Sequence, residues 1–251
     1  MAWQRRQLLQ GGLASVATLF TAATAAARPA AAASTPADRA LRQALTACAP
    51  GGDPLQALLA GNQRFAAAWQ LSSGTALAAA DRTARMAALW ADTCQLDPEA
   101  LARGQRPWAA VLACADARVS PEWIFDVGPG ELFDVRSAGN TAFAEGIASL
   151  EYAVGQLQVP LIVVLGHQSC GAVTAAMSDQ PLTPLLEQLV TPIRASLKSG
   201  DDLSLAIRHN ATAVARQLSE RSAVLREAVA AGKLRIEPLY FDLESGLTTV
   251  I

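Results

Sequence analysis

Pro160-Leu161-Ile162-Val163-Val164-Leu165-Gly166 is the stretch whose reading decides the fold. Its aliphatic run is stopped by proline on one side and glycine on the other, and it offers no polar face. A strand with one face in water alternates apolar and polar residues, whereas a strand buried on both faces, as in a parallel sheet covered by helices, reads as a continuous apolar run. Working outward, Ala109-Ala110-Val111-Leu112-Ala113-Cys114 has the same character, Glu131 to Arg136 is a second strand candidate, and Leu234 to Tyr240 and Leu247 to Ile251 close the chain as strands. Helical spacing fills the gaps. Thr141 to Leu157 carries Phe143, Ile147, Leu150, Tyr152 and Val154; Ser169 to Met177 reads as a helix, and Leu203 to Val229 as one long amphipathic helix. Upstream, Asp53-Pro54 starts a helix through Leu55, Leu58, Leu59, Asn62, Phe65 and Trp69, and Thr75 to Cys94 reads as an Ala-rich helix. Strands separated by helices imply parallel crossovers. The expected fold is therefore α/β, a central, mostly parallel sheet flanked by helices, with an N-terminal helical arm.

The composition suits such a core. Of 251 residues, 51% are hydrophobic and 17% charged, which excludes a disordered or collagen-like chain. A net charge of -2 leaves no electrostatic footprint for nucleic acid. The first residues have a different logic. Arg5-Arg6 precedes an uncharged stretch from Leu8 to Ala27, followed by Ala25-Ala26-Ala27 and Ala31-Ala32-Ala33 as small-residue cleavage options. A basic start, a modest apolar run and a small-residue site make an export leader. The paired arginines resemble a twin-arginine signal, with an ordinary secretory leader or an uncleaved anchor as alternatives. Residues 1–33 are thus expected to be a signal peptide and short linker, and 34–251 one domain placed outside the cytoplasm. No other stretch reaches the ~18 unbroken apolar residues of a spanning helix.

The chain has only two histidines and four cysteines, so any soft-metal site must draw on few residues. One buried strand ends in Cys114-Ala115-Asp116-Ala117-Arg118, and the other runs into His167-Gln168-Ser169-Cys170. In α/β sheets the chemistry gathers at the C-terminal ends of strands. If these two strands are neighbours, Cys114, His167 and Cys170 converge. Two thiolates and an imidazole suit Zn²⁺, and three protein ligands leave a fourth position for Asp116 or a water, the pattern of a catalytic zinc.

These residues resemble the β-class carbonic anhydrases, whose signatures are C-x-D-x-R and H-x-x-C. Here they are Cys114-x-Asp116-x-Arg118 and, beginning 53 positions after Cys114, His167-x-x-Cys170. Leu59-x-Gly61-Asn62-x-Arg64-Phe65, the run from Gly130 to Asn140, Ser149 to Val154, and Val163 to His167 also match the family's ordered motifs. The resemblance implies one zinc per chain and reversible hydration of CO₂ to bicarbonate and a proton, with zinc lowering the pKa of water towards about 7. It implies Cys114, His167 and Cys170 as ligands. Asp116 then orients the nucleophile, Arg118 holds Asp116 by a bidentate pair, and Asp116 is a possible fourth ligand in a closed state. It further implies Gln105, Phe133, Ala138 and Tyr152 as substrate-pocket residues. Part of that pocket comes from a neighbouring subunit, hence a homodimer or homotetramer. Gly139-Asn140 is expected to open the following helix, with Asn140 as its cap.

Some positions depart from the family pattern. Ala117 replaces a usual serine, Gln168 a common serine or threonine, and Val111 stands where bicarbonate-regulated members carry tryptophan. His209 is read as a surface residue rather than a proton shuttle. Cys48 and Cys94 are expected as free thiols, although an oxidising compartment would allow them to pair. Two other functions fit the same motifs: hydrolysis of carbonyl sulfide or carbon disulfide, and a non-catalytic zinc- or bicarbonate-binding module.

Overall fold

The structure, a computed structural model, describes residues 35–72, 78–91 and 93–251. The expected leader and its cleavage options lie outside the described residues, as do residues 75–77 and 92 of the expected Ala-rich helix. Among the described residues, no helix is long and apolar enough to cross a membrane.

The first helix, α1 (Pro36–Leu45), starts where a linker was expected to end. Thr35 accepts from the Asp38 N–H, and the Asp38 carboxylate accepts from the Thr35 N–H, so two otherwise orphaned donors are satisfied reciprocally. Pro36 sits in the first turn, where its missing N–H costs nothing. Then follow α2 (Pro54–Ser72), α3 (Ala79–Ala91) and α4 (Pro98–Arg103). The α3 helix is shorter than the expected 75–94, and α4 was not anticipated.

The sheet domain then runs β1 (Ala109–Cys114), α5 (Pro121–Phe125), β2 (Leu132–Ser137), a 3-10 turn over Ala138–Asn140, α6 (Ala144–Gly155), β3 (Leu161–His167), α7 (Gly171–Met177), α8 (Pro184–Arg194), α9 (Leu203–Arg221), α10 (Ala223–Ala230), β4 (Arg235–Phe241) and β5 (Thr248–Val250). The strand order is β2-β1-β3-β4-β5, with β5 antiparallel to β4 and every other pair parallel.

Both faces of the sheet are covered, as the uninterrupted apolar runs require. Ala109, Val111, Ala113, Leu161, Val163 and Leu165 pack against α2 and α5, while Ala110, Leu112, Ile162 and Val164 pack against α6 and α9. The alternation follows from the strand period of two. Chain order reverses at β1, which has β2 on one side and β3 on the other. That reversal opens a crevice at the strand ends, where α/β sheets hold their ligands.

The α2 helix is fastened to this frame by the residues of its motif. Gly61 lies so close to α5 that an added Cβ would fall 1.9 Å from the Phe125 carbonyl oxygen, which no other residue tolerates. Buried Asn62 donates to the carbonyls of Ile124 and Gly246 (3.1 and 3.0 Å) and accepts from the Thr248 N–H (2.6 Å), so one amide ties α2, α5 and β5 together. Arg64 Nε donates to Asp126 Oδ2 at 2.5 Å.

Three expectations are corrected. The helix expected from 203 to 229 is two helices, because Ser222 is extended (φ -117°, ψ 119°) and its hydroxyl accepts from the Leu225 N–H while donating to Glu151. Its side chain caps a new helix rather than letting the old one continue. Asn140 is not a helix cap. It sits at φ 47° in the 3-10 turn, its amide nitrogen is buried without a partner, and α6 begins after Phe143. Cys48 and Cys94 are not free thiols. They form a disulfide with Cα atoms 5.6 Å apart, which joins the turn after α1 to the segment after α3.

Candidate metal centre

Parallel pairing in register is what builds the site. Ala113 of β1 lies opposite Leu165 of β3, so Cys114 is one step beyond that pair and His167 two steps. Cys170 follows a tight turn in which Ser169 takes a left-handed conformation (φ 56°), bringing the second thiol back over the strand ends at the start of α7. The ligand atoms of Cys114, His167 and Cys170 all lie within 4.8 Å of one another, and all three residues are buried.

The donor set fits a soft divalent ion on three counts. The two sulfurs are 4.0 Å apart, close to the roughly 3.8 Å that two thiolates on one tetrahedral zinc subtend at Zn–S of about 2.3 Å. His167 Nε2 is buried and has no hydrogen-bond partner, a costly state unless its lone pair goes to an ion. The other ring nitrogen, Nδ1, lies 2.9 Å from the Gln168 carbonyl oxygen and donates to it. That bond selects the tautomer in which Nε2 is the ligand.

The electrostatics of the sulfurs agree. The hydrogen bond from Cys170 holds the Cys114 thiol well below the usual range, assisted by His167 and by the Gly139 N–H, which donates to Cys114 Sγ at 3.2 Å. Cys170 is correspondingly pushed up by its hydrogen bond to Cys114, by burial, and by the charge it faces there. A divalent ion bound here would take the place of thiol protons, since only the thiolate form of cysteine ligates a metal. Gly139 must be glycine here. Its φ is 70°, and an added Cβ would come within 2.7 Å of Ile193 and 3.0 Å of Ala172.

Asp116 stands beside this cluster, its Oδ2 3.9 Å from His167 Nε2. It is paired with Arg118: Oδ1 accepts from the Arg118 backbone N–H and Nε, both at 2.9 Å, and Oδ2 accepts from Nη2 at 2.7 Å. This pairing holds the Asp116 carboxyl well below the usual carboxylate range. Arg118 also donates to the Ser169 carbonyl at 3.2 Å, so the dyad is tied to the loop that carries Cys170.

Of the residues expected from sequence, the structure brings Cys114, Asp116, Arg118, His167 and Cys170 together. Ala138 lies in the 3-10 turn directly before Gly139, next to the same sulfur. Gln105, Phe133 and Tyr152 are not part of the site formed by this chain. Gln105 precedes β1, at the end of the strand away from Cys114. Phe133 pairs with Ala110, four residues and so about 13 Å before Cys114 along β1. The Tyr152 ring is 6.2 Å from that of Phe133 and 48% of the residue is exposed. His209 also lies apart, with Nδ1 2.8 Å from Asp201 and Nε2 3.0 Å from Lys198.

Sequence reasoning missed three contributors. Gly139 supplies an N–H to Cys114, Asn210 Nδ2 donates to the Gly139 carbonyl at 2.9 Å, and Arg136 donates to carbonyls around Cys114. Gly139 and Arg136 lie inside the matched run from Gly130 to Asn140, so their positions carried a signal. Asn210, in the middle of α9, carried none.

The family model described as carbonic anhydrase matches residues 109–248. Carbonic anhydrase 2 of Mycobacterium tuberculosis is 39% identical over 158 residues, covering 58% of this chain and 75% of the relative. A carbonic anhydrase of Pseudomonas aeruginosa is 34% identical over 165 residues, covering 59% and 74%. Among solved structures, the Coccomyxa β-carbonic anhydrase in complex with acetazolamide superposes with a TM-score of 0.56 at 26% identity, covering 68% of this chain and 81% of that one. A structure described among two tetrameric β-carbonic anhydrases from Sordaria macrospora gives 0.56 at 25% identity, covering 60% and 83%.

Proposed function

The chain belongs to the β-class carbonic anhydrase family, and from that premise we propose the part each residue plays in the zinc-dependent, reversible hydration of carbon dioxide. The observation that carries the reading is the buried Cys114–His167–Cys170 cluster with an orphaned imidazole nitrogen. Cys114, His167 and Cys170 hold the zinc. When bound, zinc supplies a Lewis acid that lets water lose a proton near neutral pH.

The remaining work falls to the chain. Asp116, ionised throughout the working pH range because of Arg118, accepts a hydrogen bond from the reacting water at Oδ2 and fixes the direction of its lone pair. Arg118 anchors Asp116 through three hydrogen bonds and keeps the carboxylate from binding the metal itself. Breaking the dyad would free Asp116 as a fourth ligand, the closed state of the site. The Gly139 N–H stabilises negative charge on Cys114 Sγ. The Gln168 carbonyl keeps the His167 ring in one orientation.

Gln105, Phe133 and Tyr152 complete the substrate pocket of a neighbouring subunit, in a homodimer or homotetramer. Their place at the far end of the strands supports this, because they cannot reach the metal of their own chain. Export by a twin-arginine-type leader delivers the protein folded and zinc-loaded to an oxidising compartment, and the Cys48–Cys94 disulfide fits that destination.

The test is zinc content and CO₂ hydration measured together on purified protein, with carbonyl sulfide turnover in parallel. One zinc per chain with CO₂ hydration dominant is expected. A fully zinc-loaded chain without CO₂ hydration at mildly alkaline pH would overturn the reading.

A further inference from the structure

Asn210 is a polar side chain in the middle of α9, 1% exposed and set among buried apolar residues of the same helix. A polar group in such a place is costly unless it is hydrogen-bonded. Its Nδ2 donates to the Gly139 carbonyl at 2.9 Å, 71 residues away in the chain. The Gly139 N–H in turn donates to Cys114 Sγ at 3.2 Å. That carbonyl and that N–H belong to the two peptide planes that meet at the Gly139 Cα, so holding one restricts the direction of the other.

The turn depends on such a hold. Gly139 (φ 70°) and Asn140 (φ 47°) are successive residues in the left-handed region, which Asn140 adopts at a cost. The helix that reaches the turn is itself closely seated. Ile207, Asn210 and Ala211 share one face of α9. An added Cβ on Gly166 would come within 3.0 Å of Ile207 and 3.3 Å of Ala211. Gly166 directly precedes His167. One face of α9 therefore bears on both arms of the cluster. It packs on β3 beside His167, and through the turn after β2 it reaches Cys114.

We propose that Asn210 is a positioning residue for the metal centre. It keeps the Gly139 N–H on Cys114 Sγ, and that bond restrains the charge Cys114 gives to the ion. The inference rests on the zinc site proposed above. Two thiolates and one imidazole place more negative charge on a zinc ion than three neutral imidazoles do, which weakens it as a Lewis acid. A hydrogen bond into a thiolate draws part of that charge back, and outer partners of this kind tune a metal. Without the Asn210 amide the turn relaxes, Cys114 becomes the stronger donor, and the site needs a higher pH to work.

Asn210→Leu removes the donor at nearly the same volume, and Asn210→Ala removes it by truncation. Leu218→Val, at a buried position further along α9, weakens the helix without touching the bond. In NMR spectra of the zinc-loaded protein, the Gly139 amide proton should move upfield in both Asn210 variants and exchange several-fold faster. With cobalt(II) in place of zinc, the sulfur-to-cobalt charge-transfer band should move to longer wavelength. CO₂ hydration should fall several-fold at neutral pH and recover at alkaline pH. Leu218→Val should lower stability and leave all three readouts where they are in the wild type. A Gly139 amide and a cobalt band unchanged in an Asn210 variant overturn the proposal, and so does an equal shift in Leu218→Val. A wild-type chain that takes up neither zinc nor cobalt defeats the metal-site reading instead. The Gly139 amide of the metal-free protein, compared between wild type and variant, then still decides whether Asn210 holds the turn.

Discussion

The four cysteines form two pairs that the fold treats in opposite ways. Cys114 and Cys170 lie with their sulfurs 4.0 Å apart as buried free thiols, while Cys48 and Cys94 are joined covalently. The first pair sits among a glycine N–H, an imidazole and each other, an arrangement that favours thiolate and offers both sulfurs to one metal ion. The second pair closes a loop containing α2 and α3. Sulfur chemistry is the same in both places. The neighbours decide whether two cysteines become ligands or a cross-link.

The largest effect that would break this comparison comes from Cys170→Ser. We expect zinc content to fall to background and CO₂ hydration with it, and stability to drop because metal binding contributes to folding. Stoichiometric zinc in that variant would remove Cys170 from the ligand set. Next comes Asp116→Asn, which should keep its zinc yet lower kcat by about a hundredfold, the usual cost of one lost orienting hydrogen bond at a reacting centre. Unchanged kcat over the pH range would show that Asp116 is only a structural partner of Arg118.

Cys48→Ser tests the other pair. Opening a loop closed across a sequence separation of 46 should cost about 2–4 kcal/mol in urea denaturation, with zinc content unchanged. Loss of zinc on reduction of this disulfide would mean that the two pairs are coupled. The finest test is an ultraviolet thiolate titration of zinc-free protein with the disulfide intact. One thiolate, centred on Cys114, should already be present at neutral pH, and the second should not form until the solution is strongly alkaline. Two thiolates titrating together in the ordinary range would show that neither sulfur affects the other's proton.

Much of the sheet was legible because burial on both faces leaves a local mark. The aliphatic run of β3 and the run of β1 need no distant information to be read as strands, and their ends carry Cys114 and His167. The short helices were less legible. α4 is only six residues long, and α8 carries Pro192 in its interior, which masks a helical pattern. The break at Ser222 depends on Glu151, 71 residues away, accepting the serine hydroxyl while that hydroxyl caps α10. Asn140 has the composition of a cap, but the close packing of Gly139 against Ile193 and Ala172 commits its turn to another conformation.

The sequence by itself determined the fold class, the family and the three side chains of the candidate metal cluster, because these depend on residue types at fixed local spacings and on continuous apolar runs. Tertiary structure alone decided which cysteines pair. It also decided that Gln105, Phe133 and Tyr152 lie away from their own chain's Cys114–His167–Cys170 cluster, and that Arg136 donates to carbonyls of the loop of Cys114 and Asp116. Each of those outcomes is a distance between residues far apart in the chain. Such distances are set by strand register and helix packing, which act only once the whole core has closed.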